Sequence, residues 1–190
     1  MTQSKLVPPH GGKLVDRMAS AADAQKLKDA AASMPSITMS AKQVCDLEMI
    51  AIGAFSPLEG FVGPEDFASI CTNMRLSNGT PWPIPITLAV DDATKDALAE
   101  GSQAALLHPD GTLMAVIDVT SIYAHDKKLE IPNVFGTEDE AHPGVKAVVE
   151  EGEWLVGGPV HVITTEADSG DAERFEDHRL PPAKTREAFD

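Results

Sequence analysis

The chain has only two cysteines in 190 residues, Cys45 and Cys71. They form neither a Cys-x-x-Cys redox pair nor part of a four-ligand zinc pattern. Both stand in apolar, helix-patterned surroundings and are expected to be reduced and packed, as in a cytoplasmic protein. Positive charge is also scarce: 15 Lys and Arg face 30 Asp and Glu, for a net charge of −15. This argues against nucleic acid as the main partner, because affinity for a phosphate backbone rests on clustered cations. It also argues against docking on an anionic membrane. No stretch approaches the ~18 apolar residues of a membrane span, and the first ten residues lack the apolar run of a signal peptide. No two of the six histidines, His10, His108, His125, His142, His161 and His178, stand at a metal-ligand spacing such as i, i+4. A Gly-x-Ser-x-Gly elbow and a complete phosphate loop are missing too. Gly11-Gly12-Lys13 is followed by Leu14, where a phosphate loop needs Ser or Thr.

What is present is 43% hydrophobic residues, enough for a substantial core, in a length that suits one domain, or one domain with a small appendage. Residues 1–15 read as an extended arm, with Pro8-Pro9 disfavouring helix. Residues 21–33 read as a helix capped by Ser20. A second helix follows Ser40, with Gln43 completing a capping box, and runs to Ile50-Ala51. A third starts at Pro64, with Glu65 and Asp66 in its first turn. Trp82 to Val90 reads as a strand, and Asp92 to Ala99 as a short helix. Gln103–His108 and Thr112–Tyr123 read as strands joined at Pro109-Asp110-Gly111. Trp154–Val156 and Val160–Thr165 read as a second pair, turning at Gly157-Gly158-Pro159. Helical pieces are expected at Leu129–Phe135 and Gly144–Glu150. Helices first, then short strands joined by tight turns, make an α+β chain with a small barrel.

One stretch, Asp46 to Gly63, organises the rest. An apolar helix end breaks at Gly53 and turns through Phe55, Ser56-Pro57, Gly60 and Phe61. Apolar residues this dense around a turn imply a buried corner. Ser56 has no nearby base to activate it. His142 stands in Gly136-Thr137-Glu138-Asp139-Glu140-Ala141-His142-Pro143-Gly144, where the acids can serve as acid–base groups. Equally, Thr137 can cap a turn and His142-Pro143 can lead into a helix, and residue type favours this structural role.

Several of these segments, in order, resemble the N-terminal region of ATP sulfurylase (sulfate adenylyltransferase). They are Leu6-Val7-Pro8-Pro9-His10-Gly11-Gly12-Lys13-Leu14-Val15, the stretch Asp46 to Phe61, Met74 to Gly79, Trp82 to Leu88, Gly136-Thr137 through Gly144-Val145, Gly157 to Val160, and Arg179 to Arg186. Lys127 to Val134 departs from the family pattern. The resemblance implies a PUA-like small β-barrel with N-terminal and inserted helices over residues 1–165. Residues 166–190 would be an acidic linker toward a catalytic domain absent from this chain. It implies a cytoplasmic nucleotidyltransferase of sulfate assimilation. That enzyme joins ATP and sulfate into adenosine 5′-phosphosulfate and pyrophosphate, with Mg-ATP bound by the complete, homo-oligomeric protein.

The family's Gln-x-Arg-Asn-Pro-x-His and Gly-Arg-Asp-His motifs do not occur here. No catalytic, cofactor-binding or metal residue is therefore carried over, and the chain alone is expected to be inactive. Its expected role is to brace a catalytic domain, in cis or as a separate chain. A stand-alone PUA-like binding module and one chain of a split ATP sulfurylase are the alternatives. The residues singled out are a structural signature: Phe55, Ser56, Pro57, Gly60, Phe61 and His142.

Overall fold

A computed structural model describes residues 6–165 and 180–189. A 3-10 turn at His10–Gly12 opens the chain. Then follow α1 (Ala21–Ala31), β1 (Ser36–Thr38), α2 (Ala41–Ala51), β2 (Gly60–Phe61), α3 (Pro64–Asn73), β3 (Ala89–Val90) and α4 (Asp92–Asp96). The second half holds β4 (Gln103–Leu107), β5 (Leu113–Asp118), β6 (Ser121–Ala124), α5 (Lys127–Phe135), α6 (Pro143–Glu150), β7 (Trp154–Val162) and α7 (Pro182–Phe189). The α+β class read from the sequence stands. Among the described residues, no helix is long and apolar enough to cross a membrane.

The helix starts follow the local chemistry. The Ser20 hydroxyl accepts from the Asp23 N–H at the head of α1. Ser40 and Gln43 close a reciprocal capping box on α2, satisfying two backbone donors that the first turn leaves without partners. Pro64 occupies the first turn of α3, where its missing N–H costs nothing, and Glu65 and Asp66 face the positive helix end.

Two compact units share the chain. One takes Met1–Gly60, Ala104–Ile117 and Val160–Asp190; the other takes Phe61–Gln103 and Asp118–Pro159. In the first unit β1 runs parallel to β4, with Ile37 opposite Leu106. β5 pairs antiparallel with the last residues of β7, placing Val116 opposite His161. Ile37, Leu47, Ile50, Leu106, Met114 and Val116 are fully buried there, and α1 lays Leu27 and Ala31 on Ala105 and Val116. In the second unit β3 and β6 both pair antiparallel with the first part of β7. α5 packs on α3 and on α6. Its core is built from Phe67, Ile70, Leu88, Val119, Val145 and Leu155.

Four expectations change. The strand expected over Trp82–Val90 shrinks to Ala89–Val90, because Pro83 and Pro85 have no N–H to give a ladder. Thr112–Tyr123 splits into β5 and β6. At the break, Val119 N–H bonds Ser102 O and Thr120 N–H bonds Gly157 O. Gly157-Gly158-Pro159 is no turn: β7 runs through it as one nine-residue strand. Within the expected linker, Pro182–Phe189 is helical; residues 166–179 lie outside the described residues. Strands β1 and β2 have no local signature, being three and two residues long and formed by tertiary pairing.

Candidate functional site

The Asp46–Gly63 stretch builds the corner that its composition implies. α2 ends at Ala51 with Ile52 as its C-cap, and Gly53 follows with φ 79°, a left-handed conformation that suits glycine. Three overlapping bonds tighten the turn: Phe55 N–H to Met49 O, Ser56 N–H to Gly53 O and Leu58 N–H to Phe55 O. The Ser56–Pro57 peptide is cis. The buried Ser56 hydroxyl donates to Gly53 O at 2.7 Å and accepts the Val15 N–H at 2.9 Å. It thus ties the N-terminal arm to the corner and leaves no hydrogen for chemistry. Two glycines permit the close approach. A Cβ on Gly53 would stand 2.7 Å from Val15 O, and one on Gly11 the same distance from Pro57 Cβ. Phe55 and Pro57 are half-buried, while Gly60 and Phe61 are buried on β2.

A cavity of about 440 Å³ opens beside this corner. His10 and Leu14 of the arm, Ala54 and Ser56 of the corner, and Arg186 and Phe189 of α7 are among its walls. An Arg186 Nη2–H donates to Val7 O at 2.8 Å, which fixes α7 against the arm.

The second unit holds a buried polar group that the sequence reading did not single out. His125 Nε2 lies 2.6 Å from Glu130 Oε2, and both side chains are buried. His125 Nδ1 faces Gly152 O at 3.2 Å; a carbonyl only accepts, so that nitrogen carries the hydrogen. Nε2 and the carboxylate must then share one further proton, held by one partner or the other. Phe67 packs edge-on against both His125 and Tyr123, and the Tyr123 hydroxyl donates to Val62 O at 2.8 Å. Burial pushes the Cys71 thiol up to about 12, with the Glu130 and Asp126 charges adding to it, so Cys71 stays protonated and unreactive. Burial likewise raises the Tyr123 phenol. The arrangement is closed and satisfied: it locks the start of α5 and offers no nucleophile. In the sequence its only trace is a histidine five residues before a glutamate, a spacing with no meaning of its own.

His142 stands at the N-cap of α6. Its Nδ1 accepts from Gly144 N–H and Val145 N–H at the head of α6, and its ring rests on Phe135. Thr137 accepts the Asp139 N–H, capping the preceding turn. His108 sits beside Asp110 in the β4–β5 turn, and His161 is half-buried on β7. His178 lies outside the described residues. Among the described residues, no group of three His, Cys, Asp or Glu side chains can hold a metal ion. Cys45 is exposed and Cys71 buried, both as free thiols, so the expectation that both are packed fails at Cys45. Its position on α2 points away from the fully buried Leu47 and Ile50.

Comparison with known proteins agrees with the segment-by-segment resemblance. The family described as "PUA-like domain" matches residues 7–165. The sulfate adenylyltransferase of Acaryochloris marina is 39% identical over 190 residues, covering 100% of this chain and 48% of its own length. That of Symbiobacterium thermophilum is 40% identical over 183 residues, 96% of this chain and 45% of its own length. A "probable bifunctional SAT/APS kinase 2" of Sorangium cellulosum is 40% identical over 97% of this chain and 31% of its own length. A solved structure described as hexameric APS kinase from Thiobacillus denitrificans superposes with a TM-score of 0.73 at 27% identity, covering 97% of this chain and 31% of that one. The chain thus spans about half the length of the sulfate adenylyltransferases it matches, or less of the longer proteins.

Proposed function

We propose, from the premise that this chain belongs to the PUA-like domain family, that it is the bracing domain of a sulfate adenylyltransferase and is inactive by itself. One observation carries the reading. Identity near 40% extends over practically the whole chain while covering only 45–48% of two sulfate adenylyltransferases. The corner chemistry supports it: Ser56 is spent on backbone bonds, and Phe55, Pro57, Gly60 and Phe61 serve packing. The six singled-out residues are a structural signature in this reading.

In this reading nucleotide, magnesium and sulfate are held by a catalytic partner, joined in cis or present as a separate chain. That assembly would be a cytoplasmic homo-oligomer; the solved relative described as a hexamer points the same way.

The test pairs two proteins. The isolated chain is assayed for pyrophosphate release from ATP and sulfate, and no turnover is expected. The chain is then grafted in place of the matching segment of the Acaryochloris marina enzyme, and activity comparable to the parent is expected. Turnover by the isolated chain, or a folded chimera without activity, overturns the reading.

A further inference from the structure

We propose that His125 and Glu130 form a proton-operated latch. One shared proton holds the head of α5 closed, and rising pH above the neutral range frees α5 from α3 and from the end of α6.

The proton count follows from geometry. The two side chains are 0% and 5% exposed, and Nε2 lies 2.6 Å from Oε2, which leaves no room for a bridging water. Nδ1 already gives its hydrogen to Gly152 O. A neutral imidazole beside an ionised carboxylate would set two lone pairs against each other at that distance, with no solvent between them. The closed pair therefore holds one proton more than a neutral histidine and a carboxylate. Once open to water, the two residues keep that proton only below about 6.5, the ordinary value of histidine. At higher pH the open form binds one proton fewer than the closed form, so each unit of pH shifts the balance about tenfold toward opening. Between about 4.3 and 6.5 both forms hold the same number, and the latch is indifferent to pH.

Several fastenings converge on this pair. The His125 N–H donates to Glu153 O at 2.9 Å, and Lys127 Nζ donates to Glu151 O at 2.6 Å and to Val149 O at 3.2 Å. Residues 125–127 thus hold the chain that leaves α6. On the other side, Phe67 of α3 packs edge-on against the His125 ring. The surrounding charges favour keeping the proton. α5 and its cap bring Asp126, Lys127 and Lys128, and Lys127 meets the Glu153 carboxylate at 2.6 Å. Asp126 caps α5 through Leu129 N–H, and Asp66 of α3 accepts Ser77 N–H at 2.7 Å. Lys146 and Glu150 of α6 pair with each other at 3.8 Å. Burial keeps Cys71 and Tyr123 protonated and neutral. Removing the shared proton would add a negative charge near Asp66 and Asp126, so the pair opens rather than lose its proton in place.

Amide hydrogen exchange of the whole chain, measured between pH 6.5 and 8.5, tests the latch. Each rate is divided by that of an unstructured peptide at the same pH, which removes the chemistry of exchange itself. Protection of the His125 and Glu130 amides is expected to fall about tenfold per unit of pH. Protection of the Ala105 amide, bonded to Pro35 O in the other unit, should stay constant. In Glu130→Gln the side-chain amide donates to Nε2 without a shared proton, so protection at His125 should be constant as well. Constant protection at His125 in the parent overturns the proposal. So does an equal fall at Ala105, or a fall in Glu130→Gln that matches the parent. If that variant does not fold, ring nitrogen and carboxyl carbon NMR shifts of the parent at pH 7.5 decide. An imidazolium beside a carboxylate, or a neutral ring beside a protonated carboxyl, supports the latch. A neutral ring beside an ionised carboxylate overturns it.

Discussion

The corner at Gly53 and the segment Gly157-Gly158-Pro159 are made of the same residue types and do opposite things. At Gly53 the chain leaves α2 and reverses, with φ 79° and the Val15 carbonyl packed where a Cβ would stand. At Gly157-Gly158 the chain does not turn at all. It continues as β7, with Gly158 at φ 153° against the Asp118 carbonyl and Gly157 against the Ser121 hydroxyl and the Val62 carbonyl. Glycine in the first case permits a bend; in the second it permits two backbones to touch. The common feature is a carbonyl in the space a side chain would need, so a methyl probe at each site reads the difference.

Gly158→Ala should have the largest effect. A Cβ there overlaps the Asp118 carbonyl oxygen, a backbone atom that cannot swing aside, and the φ value adds strain. A loss of about 3–5 kcal/mol, or failure to fold, is expected from urea unfolding. Cys71 gives a local readout. It is buried, and its thiol is pushed up to about 12, so thiol reagents at pH 8 should modify exposed Cys45 and leave Cys71 intact. In Gly158→Ala the second thiol should react as well. A variant of parental stability would show that β7 does not pass Asp118 as described.

Gly53→Ala comes next, combining left-handed strain with a contact to Val15 O at 2.7 Å, a milder overlap than that at Gly158. About 2–3 kcal/mol is expected. Ser56→Ala keeps the corner's backbone but deprives the Val15 N–H of its acceptor, for about 1–3 kcal/mol. The signature is rapid exchange of the Val15 amide. Val15 protection unchanged in Ser56→Ala would mean the arm is held by something other than the hydroxyl.

These contrasts also explain what could be read from the chain beforehand. The helix starts at Ser20, Ser40 and Pro64 were legible, because capping is local chemistry between residues three apart. The corner was legible because so many apolar residues crowd one turn. The course of β7 was not: Gly-Gly-Pro has the composition of a turn, and only distant partners, Asp118 and Ser121, reveal it as a close crossing. The His125–Glu130 pair was hidden for the same reason, its meaning lying in burial rather than spacing. His142 was readable in two senses, and the structure places it at the head of the helix that begins at Pro143.

A third glycine-bearing segment, Pro109-Asp110-Gly111, calibrates the comparison, since it is a true surface turn. Its stabilising feature is Asp110, whose carboxylate accepts the Thr112 N–H at 2.8 Å. The Thr112 backbone and hydroxyl, and then His108, lower the Asp110 carboxyl from the ordinary 3.8 to about 2. A depressed carboxyl favours the folded turn above 3.8, and that contribution disappears as pH falls through about 2. Carboxyl-resolved NMR titration should therefore place the Asp110 midpoint near 2, and Asp110→Asn should remove the pH dependence of the Thr112 amide shift in this range. Because the group is on the surface, global stability should change least of all the variants here. A midpoint near 3.8 would mean that the turn forms without its aspartate bond, and that local composition alone, which does not bend the chain at β7, suffices here.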